Sequence, residues 1–100
     1  MSRIEVRCVR LYLTEHDKYQ RLLAQLHDVE KVRGVTVFRG ISGFGQSGHL
    51  HSAQLIDSAL DLPIVIEFFD APDRVETIID HLRDMLPPGH ILSWTAQLEV

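Results

Sequence analysis

Apolar and polar residues alternate along this chain with two different periods, and the changes of period divide it into six regular stretches. Ile4, Val6 and Cys8 alternate with charged residues, after which the phase slips to Val9, Leu11 and Leu13. That pattern predicts a strand over residues 4–13, with either a bulge or apolar neighbours on both faces. Tyr19, Leu22, Leu23 and Leu26 then share one helical stripe, with Lys18, Arg21, Gln25 and Asp28 away from it. Asp17 followed by Gln20 resembles a capping box at the start of this helix, and Gly34 stands where helices favour a closing glycine. Residues 35–41 are β-prone. Residues 55–62 fit neither period. Pro63 can open a strand, and Ile64, Val65, Ile66, Phe68 and Phe69 make residues 64–69 nearly continuous in apolar character. Asp70 and Pro72 mark a helix start, and Val75, Ile78, Ile79, Leu82 and Leu86 follow helical spacing. Pro87, Pro88 and Gly89 end that helix. In the last strand Leu92, Trp94, Ala96, Leu98 and Val100 alternate with Ser93, Thr95, Gln97 and Glu99.

The resulting order, β-α-β-loop-β-α-β, matches an α+β, ferredoxin-like domain spanning residues 1–100. Its antiparallel four-stranded sheet carries both helices on one face. The other face is left open, yet the first and third main strands supply apolar residues to both sides. Copies of the same chain are the expected cover, so the sequence predicts an oligomer.

Composition narrows the function classes. A net charge of −4 and the absence of a Lys/Arg cluster argue against nucleic-acid binding. One cysteine, Cys8, cannot form an internal disulfide and suits a reducing compartment, where it acts as a small apolar residue. The stretch Met1–Glu5 has no apolar leader character and no run reaches membrane-spanning length, which predicts a soluble cytoplasmic protein.

The stretch of residues 36–54 holds the candidate chemistry. Gly40, Gly43, Gly45 and Gly48 fall within nine residues, and His49 and His51 follow. A loop of this length in so short a chain is expected to respond to a ligand or partner rather than merely connect strands. His49 and His51 alternate and could present both rings on one side. Two histidines without a third ligand do not make a metal site, and no metal is assigned. Glu67, inside an apolar strand, needs a cationic partner, for which Arg10 and Arg39 are candidates. Trp94 serves either as packing or as a platform for a stacked ring. His16, His27 and His81 are expected to be solvated.

These residues resemble a known family. Arg39-Gly-Ile-Ser-Gly-Phe-Gly45, His51-Ser52 and Asp61-Leu-Pro-Ile-Val-Ile-Glu67, together with Leu11-Tyr-Leu-Thr-Glu-His-Asp-Lys-Tyr19, are similar to the PII-like family of unknown function numbered 190, itself related to nitrogen-regulatory PII proteins. The resemblance implies a homotrimer with inward-facing sheets and small-molecule sites between subunits. PII proteins bind adenine nucleotides there and use the long loop to engage channels, transporters or enzymes. Carried over by position, Arg39, Gly43, Phe44, Gly45, Gly89 and His90 would line the nucleotide cleft. Gln46, Ser47, Gly48, His49 and His51 would form the partner loop. Three departures bear on the ligand: His90 replaces a phosphate-binding lysine, Gln46 replaces a basic residue, and no Lys or Arg lies between Gly40 and Asp73. Fewer cations suit fewer phosphates, so AMP or ADP rather than ATP is the expected effector. On the sequence alone bicarbonate stands as the alternative effector to a nucleotide, and the loop tyrosine that the best-known PII proteins modify is absent.

No nucleophile motif, triad, phosphate loop of the Walker type or carboxylate cluster is present, which predicts a non-enzyme. The alternative from a different class is a dimeric α+β barrel enzyme working on the open sheet face with His49, His51 or Trp94.

Overall fold

The computed structural model describes residues 2–14, 17, 19–44, 62–100 and the backbone of 51–52. Strand β1 (Arg3–Thr14) leads to helix α1 (Tyr19–Ala24), which continues as a π-helical segment, Gln25–Glu30. Strand β2 (Gly34–Arg39) follows, then a short ribbon of β3 (Ser42–Gly43) and β4 (His51–Ser52). Strand β5 (Pro63–Asp70), helix α2 (Pro72–Leu82) and strand β6 (Ile91–Glu99) complete the order. The four long strands form one antiparallel sheet in the order β2-β5-β1-β6, the ferredoxin-like arrangement expected. Gly45, Gln46, Ser47, Gly48 and His49 lie outside the described residues, as do His16 and all of 53–61.

Register assigns the two faces. Val9, Leu11 and Leu13 stand opposite Phe68, Ile66 and Ile64, and all six are buried. Leu22 and Leu26 of the first helical run and Val75, Ile78, Ile79 and Leu82 of α2 close over them as one core. The pairing of β1 runs without interruption from Arg3↔Glu99 to Thr14↔Pro63, so its phase slip is not a bulge. It marks a strand with apolar residues on both faces. On the second face Tyr12, Phe38, Leu92 and Trp94 remain 38–51% exposed.

Four local expectations are corrected. Gly34 does not end the first helix; Lys31 does, in the left-handed conformation (φ 53°), with its N–H donating to Leu26 O. Gly34 instead opens β2 opposite Phe69, whose ring would lie 2.9 Å from any added Cβ. Asp17 does not complete a capping box with Gln20: its carboxylate accepts from the N–H and hydroxyl of Thr14, at 2.7 and 3.1 Å. Asp70 does not cap α2. Ala71 holds that position, and the buried Asp70 carboxylate accepts from the N–H groups of Ala71 and Arg33 and from Arg74. His81 is not simply solvated either. Its Nδ1 lies 2.9 Å from the buried Glu30 carboxylate, which also accepts from Gln25 at 2.8 Å. Gln25 and Glu30 are five residues apart, a spacing that the wider π-helix brings onto one side.

Candidate functional site

The sequence-selected residues within the described chain gather at one end of the sheet. Arg39, the last residue of β2, stands in register with Ile64 on β5. Gly40 continues the pairing, its N–H donating to Pro63 O at 2.7 Å. Gly40 and Gly43 both press against Pro63, whose side chain would lie 3.1 and 3.2 Å from an added Cβ. Gly43 pairs with His51 in the β3–β4 ribbon, so the base of the glycine loop is a hydrogen-bonded neck rather than free coil. Beyond this neck Phe44 is 74% exposed, as is Ile41 nearby at 81%.

Gly89 and His90 reach the same end from the opposite edge. His90 extends the β1–β6 ladder by accepting the Tyr12 N–H on its carbonyl at 2.9 Å. Its ring Nδ1 lies 2.8 Å from Tyr12 O, which fixes Nδ1 as the donor and leaves Nε2 as the remaining polar atom. Gly89 has φ 87°, a conformation that side chains disfavour, and turns the chain into β6. Strands β5 and β1 separate Arg39 from this turn, so the two halves of the candidate site stand about 14 Å apart in one protomer at normal strand spacing.

A cavity of about 460 Å³ opens beside Gly89 on the helix-bearing side, between α2 and β6. Arg7 and Arg83 line it together with Glu76 and Ser93. Sequence reasoning searched for cations next to the glycine loop and missed both arginines. They come from β1 and from the end of α2, and only the sheet register carries Arg7 to this edge, opposite Thr95 and next to Ser93. His90, by contrast, is not among the lining residues.

Among the described residues, the open face carries the ion pair of Arg10 with Glu67. Of the two cations considered for Glu67, Arg10 is the partner at 2.7 Å; Arg39 stands three positions further along and on the other face. The hydrogen bond that Arg10 donates to Glu67 raises the Arg10 pKa further, and the guanidinium lies 5.5 Å from the centre of the Trp94 ring. Beside it, burial and then the Glu67 charge push the Cys8 thiol pKa up, so Cys8 is neutral at physiological pH. Among the described residues no three potential metal ligands cluster, and no helix is long and apolar enough to cross a membrane.

Comparison with known proteins adds the following. The model of the DUF190 family, described as an uncharacterized ACR, matches residues 6–98. A UPF0166 protein of Methanocaldococcus jannaschii is 26% identical over 88 residues, covering 83% of this chain and 81% of that protein. A UPF0166 protein of Aquifex aeolicus is 20% identical over 88 residues, covering 83% and 84%. Among solved structures, CPII, a nitrogen regulatory PII-like protein from Thiomonas intermedia K12 bound to ADP, AMP and bicarbonate, superposes with a TM-score of 0.71 at 16% identity, covering 99% of this chain and 91% of that one.

Proposed function

Because this chain belongs to the DUF190 family and shares the fold of PII-like proteins, we propose that it is a regulatory protein. It binds an adenine nucleotide between copies of itself and uses its glycine loop to engage a target protein. The observation that carries this is the split of the candidate site. Arg39, Gly40 and Gly43 lie on one sheet edge and Gly89 and His90 on the other, at the same end. A second copy that sets its β2 edge beside this β6 edge closes the gap, and three copies so arranged close a ring. The half-exposed Phe38, Leu92 and Trp94 then face inward and are buried. The binding of ADP and AMP by CPII supports an adenine ligand.

In this arrangement Gly43, Phe44 and Gly45 supply backbone against the ligand, and residues Gln46, Ser47, Gly48, His49 and His51 meet the partner. His90 contributes differently from a lysine. With Nδ1–H held on Tyr12 O, only Nε2 remains to meet a ligand, a single polar atom where a lysine would bring three donors to a phosphate. This favours AMP and ADP over ATP. Calorimetric titration with the three nucleotides is the test: the expected order has AMP or ADP tightest, and ATP binding much tighter than AMP contradicts it. Proteolysis of the loop should slow when AMP is present; cleavage unaffected by ligand contradicts the regulatory role.

A further inference from the structure

Strand β2 leaves the sheet at Pro63. This first residue of β5 stands one step past the Arg39↔Ile64 pair, and its carbonyl accepts the Gly40 N–H at 2.7 Å. Proline has no N–H to return, so the β2–β5 ladder stops at a half-made pair and the chain is released into the β3–β4 ribbon. Gly43 then comes back over the same residue. A Cβ on Gly43 would lie 3.2 Å from Pro63 Cγ, and no other described atom stands within 4 Å of it. A Cβ on Gly40 would lie 3.1 Å from Pro63 Cβ and 3.3 Å from Cγ. Among the described glycines only Gly89 has a positive φ, so neither Gly40 nor Gly43 is needed for a left-handed backbone. What both positions lack is room for a Cβ against the Pro63 ring.

We infer that Pro63 is a positioning residue for the glycine loop. Its ring is the seat on which the neck of the loop rests, and Gly40 and Gly43 are glycines so that the backbone can reach it. The seat lies within one protomer and needs no ligand. Its consequence for binding rests on the nucleotide reading above. With the neck seated, Gly43 and Phe44 keep their places at the cleft; unseated, the ribbon stands off the sheet and affinity falls. Pro63 acts through the neck rather than on the ligand.

The two glycine contacts differ by one atom, and that difference supplies the test. Pro63→Ala keeps Cβ and removes Cγ. It should relieve Gly43→Ala, whose added methyl meets Cγ alone, but not Gly40→Ala, whose methyl still meets Cβ. The readout is hydrogen exchange of the residue 40 amide, which reports the bond to Pro63 O without ligand. Gly43→Ala should speed this exchange about tenfold, and Gly43→Ala with Pro63→Ala should fall within about twofold of Pro63→Ala alone. Gly40→Ala with Pro63→Ala should still exchange about tenfold faster than Pro63→Ala alone. Urea unfolding of each variant separates a loosened neck from lost global stability. AMP affinity by calorimetry should follow the same pattern, weakened in Gly43→Ala and recovered in its double variant. If the added methyl blocked the ligand itself, removing Cγ would recover nothing. Parent-like exchange in Gly43→Ala, no relief in its double variant, or equal relief of both glycine substitutions overturns the seat. Relief of exchange without recovery of AMP affinity overturns the positioning role. If the parent protein takes up no AMP while the exchange pattern holds, the nucleotide reading falls and the seat stands.

Discussion

Arg74 ties helix α2 to the end of β5 and to the end of the π-helical segment. It donates to the buried Asp70 carboxylate at 2.7 Å and reaches the carbonyls of Glu30 and Lys31, where the π-helical segment ends. Asp70 in turn holds the N–H groups of Arg33 and Ala71. Removing the cation leaves a buried charge and free helix-end carbonyls. Arg74→Ala should therefore cost about 2–3 kcal/mol in urea unfolding, below a fully buried pair because the guanidinium is partly solvated. A loss within about 0.5 kcal/mol would assign the network to the surface class instead. Cys8 makes a separate prediction. Its raised pKa leaves little thiolate at neutral pH, so iodoacetamide should alkylate it several-fold more slowly in the native protein than after denaturation. Equal rates would place the thiol in a solvated setting.

Among the elements, the four long strands were legible in the sequence, and the β3–β4 ribbon and the helix ends were not. The helical spacing of Val75, Ile78, Ile79 and Leu82 follows directly from the face that α2 buries, whereas the apolar alternation of β6 lies on the open face, where Leu92 and Trp94 stay half-exposed. The end of the first helix depends on contacts distant in sequence. Glu30 turns inward to meet His81, 51 positions away, and the π-helical widening accommodates it. No local pattern announces that. Gly34 shows the same limit: as a glycine it looked like a helix stop, whereas its real constraint is the Phe69 ring across the sheet. Gly34→Val should cost about 1–3 kcal/mol through overpacking, measured by thermal or urea unfolding. If Gly34→Val were as stable as the parent, the ring contact would not be the reason for glycine there. At the candidate site Arg39, Gly43 and the Gly89–His90 turn could be singled out in the sequence because each lies in a short contiguous stretch, and their role remains the proposal made above. Arg7 and Arg83 could not, since sheet register and the end of α2 bring them together.

At the scale of the whole molecule, the helices cover one face of the sheet, and the described residues leave aromatic and aliphatic side chains half-exposed on the other around the Arg10–Glu67 pair. Burying that face between copies removes apolar surface from water and excludes solvent from the ion pair. Glu67→Ala then leaves Arg10 without its carboxylate in a dry setting and should shift the protein toward monomer in sedimentation. An unchanged assembly would show that the pair is outside the interface. The proposed assembly would join the two halves of the proposed nucleotide site, so on that reading ligand and oligomer are linked: nucleotide should bind the ring and strengthen it. Native mass spectrometry with AMP tests this most directly. The account predicts a three-subunit species carrying up to three AMP molecules, with no AMP on any monomer. AMP bound to monomers, or a trimer that takes up none, would contradict it.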